Sequence, residues 1–408
     1  MPSSFILIPM SQFSNASSSP PAQSMVSNQP TISPLAQSTS ALSGLPSEAS
    51  ARQSSVQQFR DLLKKVGSGT HTSKALSRQE AAIATQLMLT EAATPAQIGA
   101  FMIAHRIRRP TPTELAGMLD TYDLLGPALT PINSPYPVTV FCNPYDGRSR
   151  TAPINPLTAL IMASADTPAI IPGGDRMPTK MGLPTIEVFQ ALGLDWRGLS
   201  LSQVQSLLAS TGLAILYQPK HFPQAEAMVP YREQIGKRPT FATVEIMWSP
   251  YRGHSNVVSG YVHPPTEGRT QETFTQRGTS FFTTVKGLEG SCDISRDRTG
   301  IICLNQLKNG TLETERLLLH PRDYGFDGTD PAFLALPALI ECYQGAIAGH
   351  SNEISRSAVW NSGFYLWRAG RVNSLEAGFE LGQDCLESGR VASKMAEIKA
   401  AMEAFSST

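Results

Sequence analysis

Apolar side chains recur at three- and four-residue spacing through residues 51–127, and this period predicts amphipathic helices near 53–66, 77–90, 94–107 and 111–124. Ile98, Phe101, Met102 and His105 fall on one such face and form a packed side. The helix starts are marked explicitly. Ser77 with Glu80, Thr94 with Gln97 and Thr111 with Glu114 have the capping-box spacing. Pro95 and Pro112 take first-turn positions, where a missing N–H costs nothing. Arg106, Arg108 and Arg109 close the third helix. They either compensate the helix dipole or form an anion-facing cluster.

From Val138 onward short apolar runs alternate with amphipathic ones. Strands are predicted at 138–141, 169–171 and 213–217, then near 256–262, 280–286, 299–304 and 311–318. Helices are predicted near 157–163, 184–192, 202–210, 222–236, 240–248 and 269–277, and four more between 335 and 404. Trp360, Phe364 and Trp367 at helical spacing read as core. The pattern implies an α/β fold: a small N-terminal helical domain over 51–127 and a larger α/β domain with a mostly parallel sheet over 135–408.

Composition changes this picture at one end. Residues 1–50 are rich in Ser, Pro, Gln and Asn, with Glu48 the single charged side chain, and read as a disordered tail. Within it, the apolar run Phe5–Ile8 is too short for a signal peptide. The 33 basic and 33 acidic residues cancel, which leaves only a local basic face to support nucleic-acid binding. Five scattered cysteines without CxxC spacing fit free thiols in a reducing cytoplasm. No apolar run approaches the roughly 20 residues of a membrane span.

The chemistry gathers around Val138–Ala163, which reads as strand, loop and helix. Asp146, Gly147, Arg148 and Arg150 occupy the loop, and Asn155-Pro156 reads as an N-cap followed by a first-turn proline. Such a junction presents backbone N–H groups to anions. A second loop, Pro172 to Lys180, follows the next strand and carries Arg176 and Lys180. A P-loop, a dinucleotide fingerprint and a Ser/His/Asp nucleophile pattern are all missing.

Several stretches resemble the anthranilate phosphoribosyltransferase family, glycosyltransferase family 3, in the right order over about 54–404. They are Glu91–Met118, Phe189-Gln190-Ala191-Leu192-Gly193, Tyr231 to Phe241 (family VRxxLGxRTxFN), Pro321 to Gly325 (family PxDxG) and Asn361 to Leu366 (family NAAxxL). The resemblance implies the fold of the nucleoside phosphorylase/phosphoribosyltransferase class, a homodimer through the helical domain, and a cleft between the domains. It also implies Mg²⁺ if phosphoribosyl diphosphate is bound. Carried over position by position, it implies Asp146, Gly147, Asn155, Thr158, Lys180 and Arg232 as substrate-binding candidates and Glu289 as a candidate metal ligand. Arg232 matches the arginine that contacts anthranilate, and Arg suits a bidentate carboxylate contact.

The site motifs themselves depart from the family. Its GTGGDG falls on Cys142-Asn143-Pro144-Tyr145-Asp146-Gly147, where Pro144 has no N–H and side chains replace glycines. Its NxST falls on Asn155-Pro156-Leu157-Thr158, and its paired Asp-Glu on Glu289-Gly290. These features resemble a divergent paralogue branch, with His263-Pro264 after a strand, of which at least one type binds nucleic acid. Three functions follow. One is glycosyl or phosphoribosyl transfer. Another is single-stranded nucleic-acid or phosphorylated-ligand binding through Arg148, Arg150, Arg176, Lys180, Lys237, Arg238 and Arg252, with Tyr145, Trp248 and Tyr251 stacking bases. The third is a catalytically dead sensor or scaffold. The degraded motifs favour a protein outside tryptophan biosynthesis.

Overall fold

The computed structural model describes residues 48–69 and 71–406. The bulk of the expected tail, with the Phe5–Ile8 run, lies outside the described residues. Its last three residues belong instead to the first helix, α1, Glu48–Gly67.

Helices α2 (Arg78–Leu89), α3 (Pro95–Arg108) and α4 (Pro112–Leu125) start where their caps predict, and all three capping boxes are formed. Phe59 of α1 meets Phe101 of α3 at a ring separation of 5.4 Å. His105 is buried on the same face. It faces the buried carboxylate of Glu114, which also accepts the N–H groups of Leu76 at 2.9 Å and Thr111 at 2.8 Å and pairs with Arg108.

The rest of the chain builds a seven-stranded sheet in the order β3-β2-β1-β4-β5-β6-β7. The strands are β1 Val138–Cys142, β2 Ala169–Gly173, β3 Leu213–Tyr217, β4 Ser255–Gly260, β5 Phe281–Val285, β6 Gly300–Lys308 and β7 Thr311–Leu319. The first five run parallel. β6 and β7 pair antiparallel at one edge. β1 is buried along its whole length, as a central parallel strand covered by helices on both faces must be. β6 outruns its predicted end because Asn309-Gly310, both at positive φ, closes a tight hairpin onto β7. Trp360 and Phe364 are fully buried, and Trp360 stacks on Phe379 at 5.1 Å, while Trp367 is half-buried.

Three local expectations need correction. The stretch 218–248 does not form two long helices but four short ones, Gln218–His221, Pro223–Glu226, Val229–Ile235 and Phe241–Glu245. Pro219, Pro223, Pro230 and Pro239 remove N–H donors at intervals too short for longer helices. The helix predicted from 269 runs Pro264–Arg277, its proline pair occupying the first turn. Helix α5, Asn155–Ser164, has Ile154 as its N-cap and no side-chain cap. Asn155 sits inside the helix and accepts a hydrogen bond from Asn143 at 2.9 Å.

The order of the sheet reverses direction at β1: one crossover leads to β2, the other to β4. Ligands of open α/β sheets bind beyond the strand C-termini at such a switch. The segments that leave β1, β2, β3 and β5 carry the candidate residues.

Candidate functional site

The loop after β1 is held against the second loop by backbone. Gly182 N–H donates to Asp146 O at 2.9 Å, and Arg148 and Leu183 exchange hydrogen bonds of 3.0 and 2.7 Å. The approach demands glycine on both sides. Gly147 takes φ +72°, and a Cβ there would lie 2.6 Å from the Gly182 backbone. A Cβ on Gly182 would lie 2.7 Å from Asp146 O. Lys180 Nζ donates to Gly147 O at 2.7 Å.

Arg148 is buried and serves as an internal hub. Its guanidinium donates to Ser291 at 2.5 Å, to Asp293 at 2.6 Å and to Glu289 at 3.3 Å. The Glu289 carboxylate also takes the N–H groups of Ser149, Arg150 and Thr151 at 2.9–3.3 Å and pairs with Lys180 at 2.5 Å. Burial alone would push this carboxyl up. The hydrogen bonds from Lys180 and the Arg150 backbone, with the Arg148 charge, outweigh that and hold it well below the usual carboxylate range. Every donor around Glu289 thus competes with a cation for its lone pairs. The residues present do not fit a divalent metal, and no group of three or more His, Cys, Asp or Glu converges as a metal site among the described residues.

The space between the two loops and the start of α5 is about 30 Å³, room for about one water. Thr158 is buried and bonds back to Ile154 O at 3.2 Å. Asp146 is buried and accepts from Arg238 Nε at 2.6 Å. Of the substrate candidates, Asp146 and Arg232 alone line the larger cleft next door, and Asn155 and Gly147 line the small space.

That cleft holds about 570 Å³ and runs between the end of α3, the loop after β1, the segment 232–246 and the residues after β4. On its floor Arg232 pairs with Glu245 at 2.7 Å, both buried. Burial pushes the Glu245 carboxyl up, against the opposing pull of Arg232, to about 7. Its rim carries Arg106 and Arg109 of the α3 terminus and Arg269. Among the described residues none of these three forms an ion pair, since the pairs formed by Arg lie elsewhere. Burial and the nearby Arg109 charge lower the Arg269 pKa.

The arginines proposed for a phosphate backbone do not share this cleft. Arg148 is buried in its hub. Arg176 pairs with Glu187 at 2.8 Å, and Arg252 with Asp123 at 2.9 Å beside a different hollow. Arg150 and Lys237 are exposed, and of the seven only Arg238 lines the cleft. Tyr145, Trp248 and Tyr251 are all buried, and Trp248 packs on Tyr122 and Phe222, so none presents a stacking face. Sequence reasoning passed over Glu245, Asp293 and Arg269. Glu245 left a signal: it is the lone charge in the apolar run Phe241–Trp248.

Comparison with known proteins resolves the ancestry. A family model described as the glycosyl transferase family helical bundle domain matches residues 60–123, and that family's a/b domain matches 147–392. The chain belongs to this glycosyl transferase family. Its curated relatives include the anthranilate phosphoribosyltransferase of Afipia carboxidovorans, 26% identical over 349 residues, which span 85% of this chain and 99% of that one. The enzyme of the same name from Rhizobium meliloti is 26% identical, covering 78% and 91%. Among solved structures, anthranilate phosphoribosyltransferase from Saccharomyces cerevisiae in complex with PRPP and Mg superposes with a TM-score of 0.72 at 13% identity, covering 85% and 98%. The Thermus thermophilus enzyme superposes at 0.66 and 17% identity, covering 84% and 99%. The helical domain and mostly parallel sheet are the architecture of these neighbours. No described helix is long and apolar enough to cross a membrane.

Proposed function

We propose that this member of the family does not catalyse phosphoribosyl transfer to anthranilate, and that its cleft binds an anionic ligand through the rim arginines. The observation that carries this reading is the internal satisfaction of the old phosphate apparatus. Lys180, Arg148 and three consecutive N–H groups already hold the Glu289 carboxylate. The space beside them, about 30 Å³, is far below the several hundred Å³ of ordinary ligand pockets. The Glu245 carboxylate likewise neutralises Arg232, the residue that would meet anthranilate.

The deciding experiment is steady-state turnover with anthranilate, phosphoribosyl diphosphate and Mg²⁺. We expect no rate above the protein-free control. Turnover that Arg232→Ala abolishes would overturn the reading.

A second reading is a nucleic-acid-binding protein. It is supported by three arginines without an ion pair among the described residues, at the rim of a cleft of about 570 Å³. Its residues are then Arg106, Arg109 and Arg269, with Arg238 beside them.

A further inference from the structure

The cleft floor holds polar atoms whose hydrogen-bonding capacity is unused. Glu245 Oε2, Arg232 Nε, Thr240 Oγ1 and the Tyr145 hydroxyl are buried, and none has a hydrogen-bond partner. All four residues line the cleft and are only 2–5% exposed. Folded proteins leave few such atoms, so four around one cavity point to a molecule that completes them.

The polarity of the set identifies that molecule. Arg232 Nη1 donates to Glu245 Oε1 at 2.7 Å and contacts Met177 Sδ, which makes the pair neutral and leaves, among its fully buried atoms, one acceptor, Oε2, and one donor, Nε–H, without a partner. An incoming carboxylate would find Arg232 already neutralised and would set its own charge against Glu245 Oε2, with no proton between them. A carboxamide suits both ends: its oxygen accepts from Arg232 Nε and its N–H donates to Glu245 Oε2. The two hydroxyls adapt to either side. We propose that the floor of this cleft is a subsite for an uncharged planar carboxamide, which Glu245 selects over the corresponding carboxylic acid. This inference rests on the reading that anthranilate is not this chain's acceptor. The selection works by building a repulsion against the wrong ligand as well as a contact to the right one.

The selection depends on pH. The groups that face Glu245 are Arg232 on its own segment, Asp146 and Tyr145 of the loop after β1, Arg238, and Tyr122 of α4. Burial pushes both phenols upward, so they stay neutral. Glu245 is the group among them that is pushed up to about 7. Below that pH it gains a proton, its repulsion towards a carboxylate disappears, and the preference for the amide narrows.

The test is titration calorimetry of the full chain with 2-aminobenzamide and, separately, with anthranilate as probes. The two differ only in carboxamide against carboxylate. At pH 8.5 the amide is expected to bind the wild type at least about tenfold more tightly. Glu245→Gln is expected to erase or invert that ratio, and the wild type at pH 5.5 to narrow it in the same direction. Equal or tighter anthranilate binding by the wild type at pH 8.5, no amide binding, or an unchanged ratio in Glu245→Gln would each overturn the proposal. A melting scan reports whether the variant folds. If it does not, the wild-type ratio and its pH dependence decide alone. Tighter anthranilate binding without turnover removes this inference only, whereas turnover removes the reading beneath it.

Discussion

Arg148 shows how far a residue's role depends on what surrounds it. In the sequence it is one of two arginines in a polar loop, and an exposed phosphate contact is a reasonable expectation. In the fold it is 4% exposed, with Asp293, Glu289 and Ser291 as partners. Asp293 is itself buried, and burial raises its pKa against the pull of Arg148. Removing Arg148 would leave that carboxylate uncompensated. Arg148→Ala is expected to cost about 3–5 kcal/mol, read from the shift of the urea unfolding midpoint. A loss under about 1 kcal/mol would mean the hub is not structural. Glu289 adds a pH dependence of known sign. Its pKa in the fold lies below the unfolded value near 4.3, so its contribution is fully present above that pH. It is lost as pH falls through the folded value. Glu289→Gln should therefore flatten the acid limb of stability against pH, and an unchanged limb would count against the pairing.

At the scale of elements, chain order carried most of the information. The capping boxes at Ser77, Thr94 and Thr111 are local chemistry, so they placed three helix starts to within a residue. β3 was legible because its apolar run ends at turn residues on both sides. The segment 218–248 was less legible, because an apolar period does not show where prolines break it. The contact between the two site loops was not legible at all. It rests on Gly147 and Gly182, 35 residues apart in the chain, whose missing side chains let two backbones meet. Gly182→Ala must part them. Overpacking of this kind costs roughly 1–3 kcal/mol. Hydrogen exchange should report it as lost protection at Arg148 and Leu183, whose N–H groups, with that of Gly182 itself, bridge the loops. Retained protection there would show that the loops tolerate a methyl group.

The whole molecule has zero formal charge, yet its cleft does not. Arg106 and Arg109 reach it from the helical bundle and Arg269 from the sheet side, and no carboxylate among the described residues answers them. If a single strand of nucleic acid binds there, three neutralised phosphates imply a slope near −2 in log affinity against log salt. Anisotropy of a labelled single-stranded oligonucleotide should then weaken roughly 20-fold between about 50 and 200 mM salt. The double variant Arg106→Ala/Arg109→Ala should lose most of that dependence. Binding that ignores salt, or no binding at the lower salt, would exclude the phosphate-backbone reading.

The sequence by itself determined most of the elements outside 218–248, their order and the family, because caps, periodicity and turn residues act within a few positions of one another. It also raised the expectation of an altered glycine loop, since Pro144 and Tyr145 fall where the resembled family carries glycines. Only the tertiary structure decided which charges are free. Arg148, Lys180 and Arg232 are paired by Glu289, Asp293 and Glu245, which lie between 13 and 145 residues away in the chain. Charge pairing is a matter of distance in space, and for Arg148 and Lys180 those distances are set where the segments after β1, β2 and β5 meet.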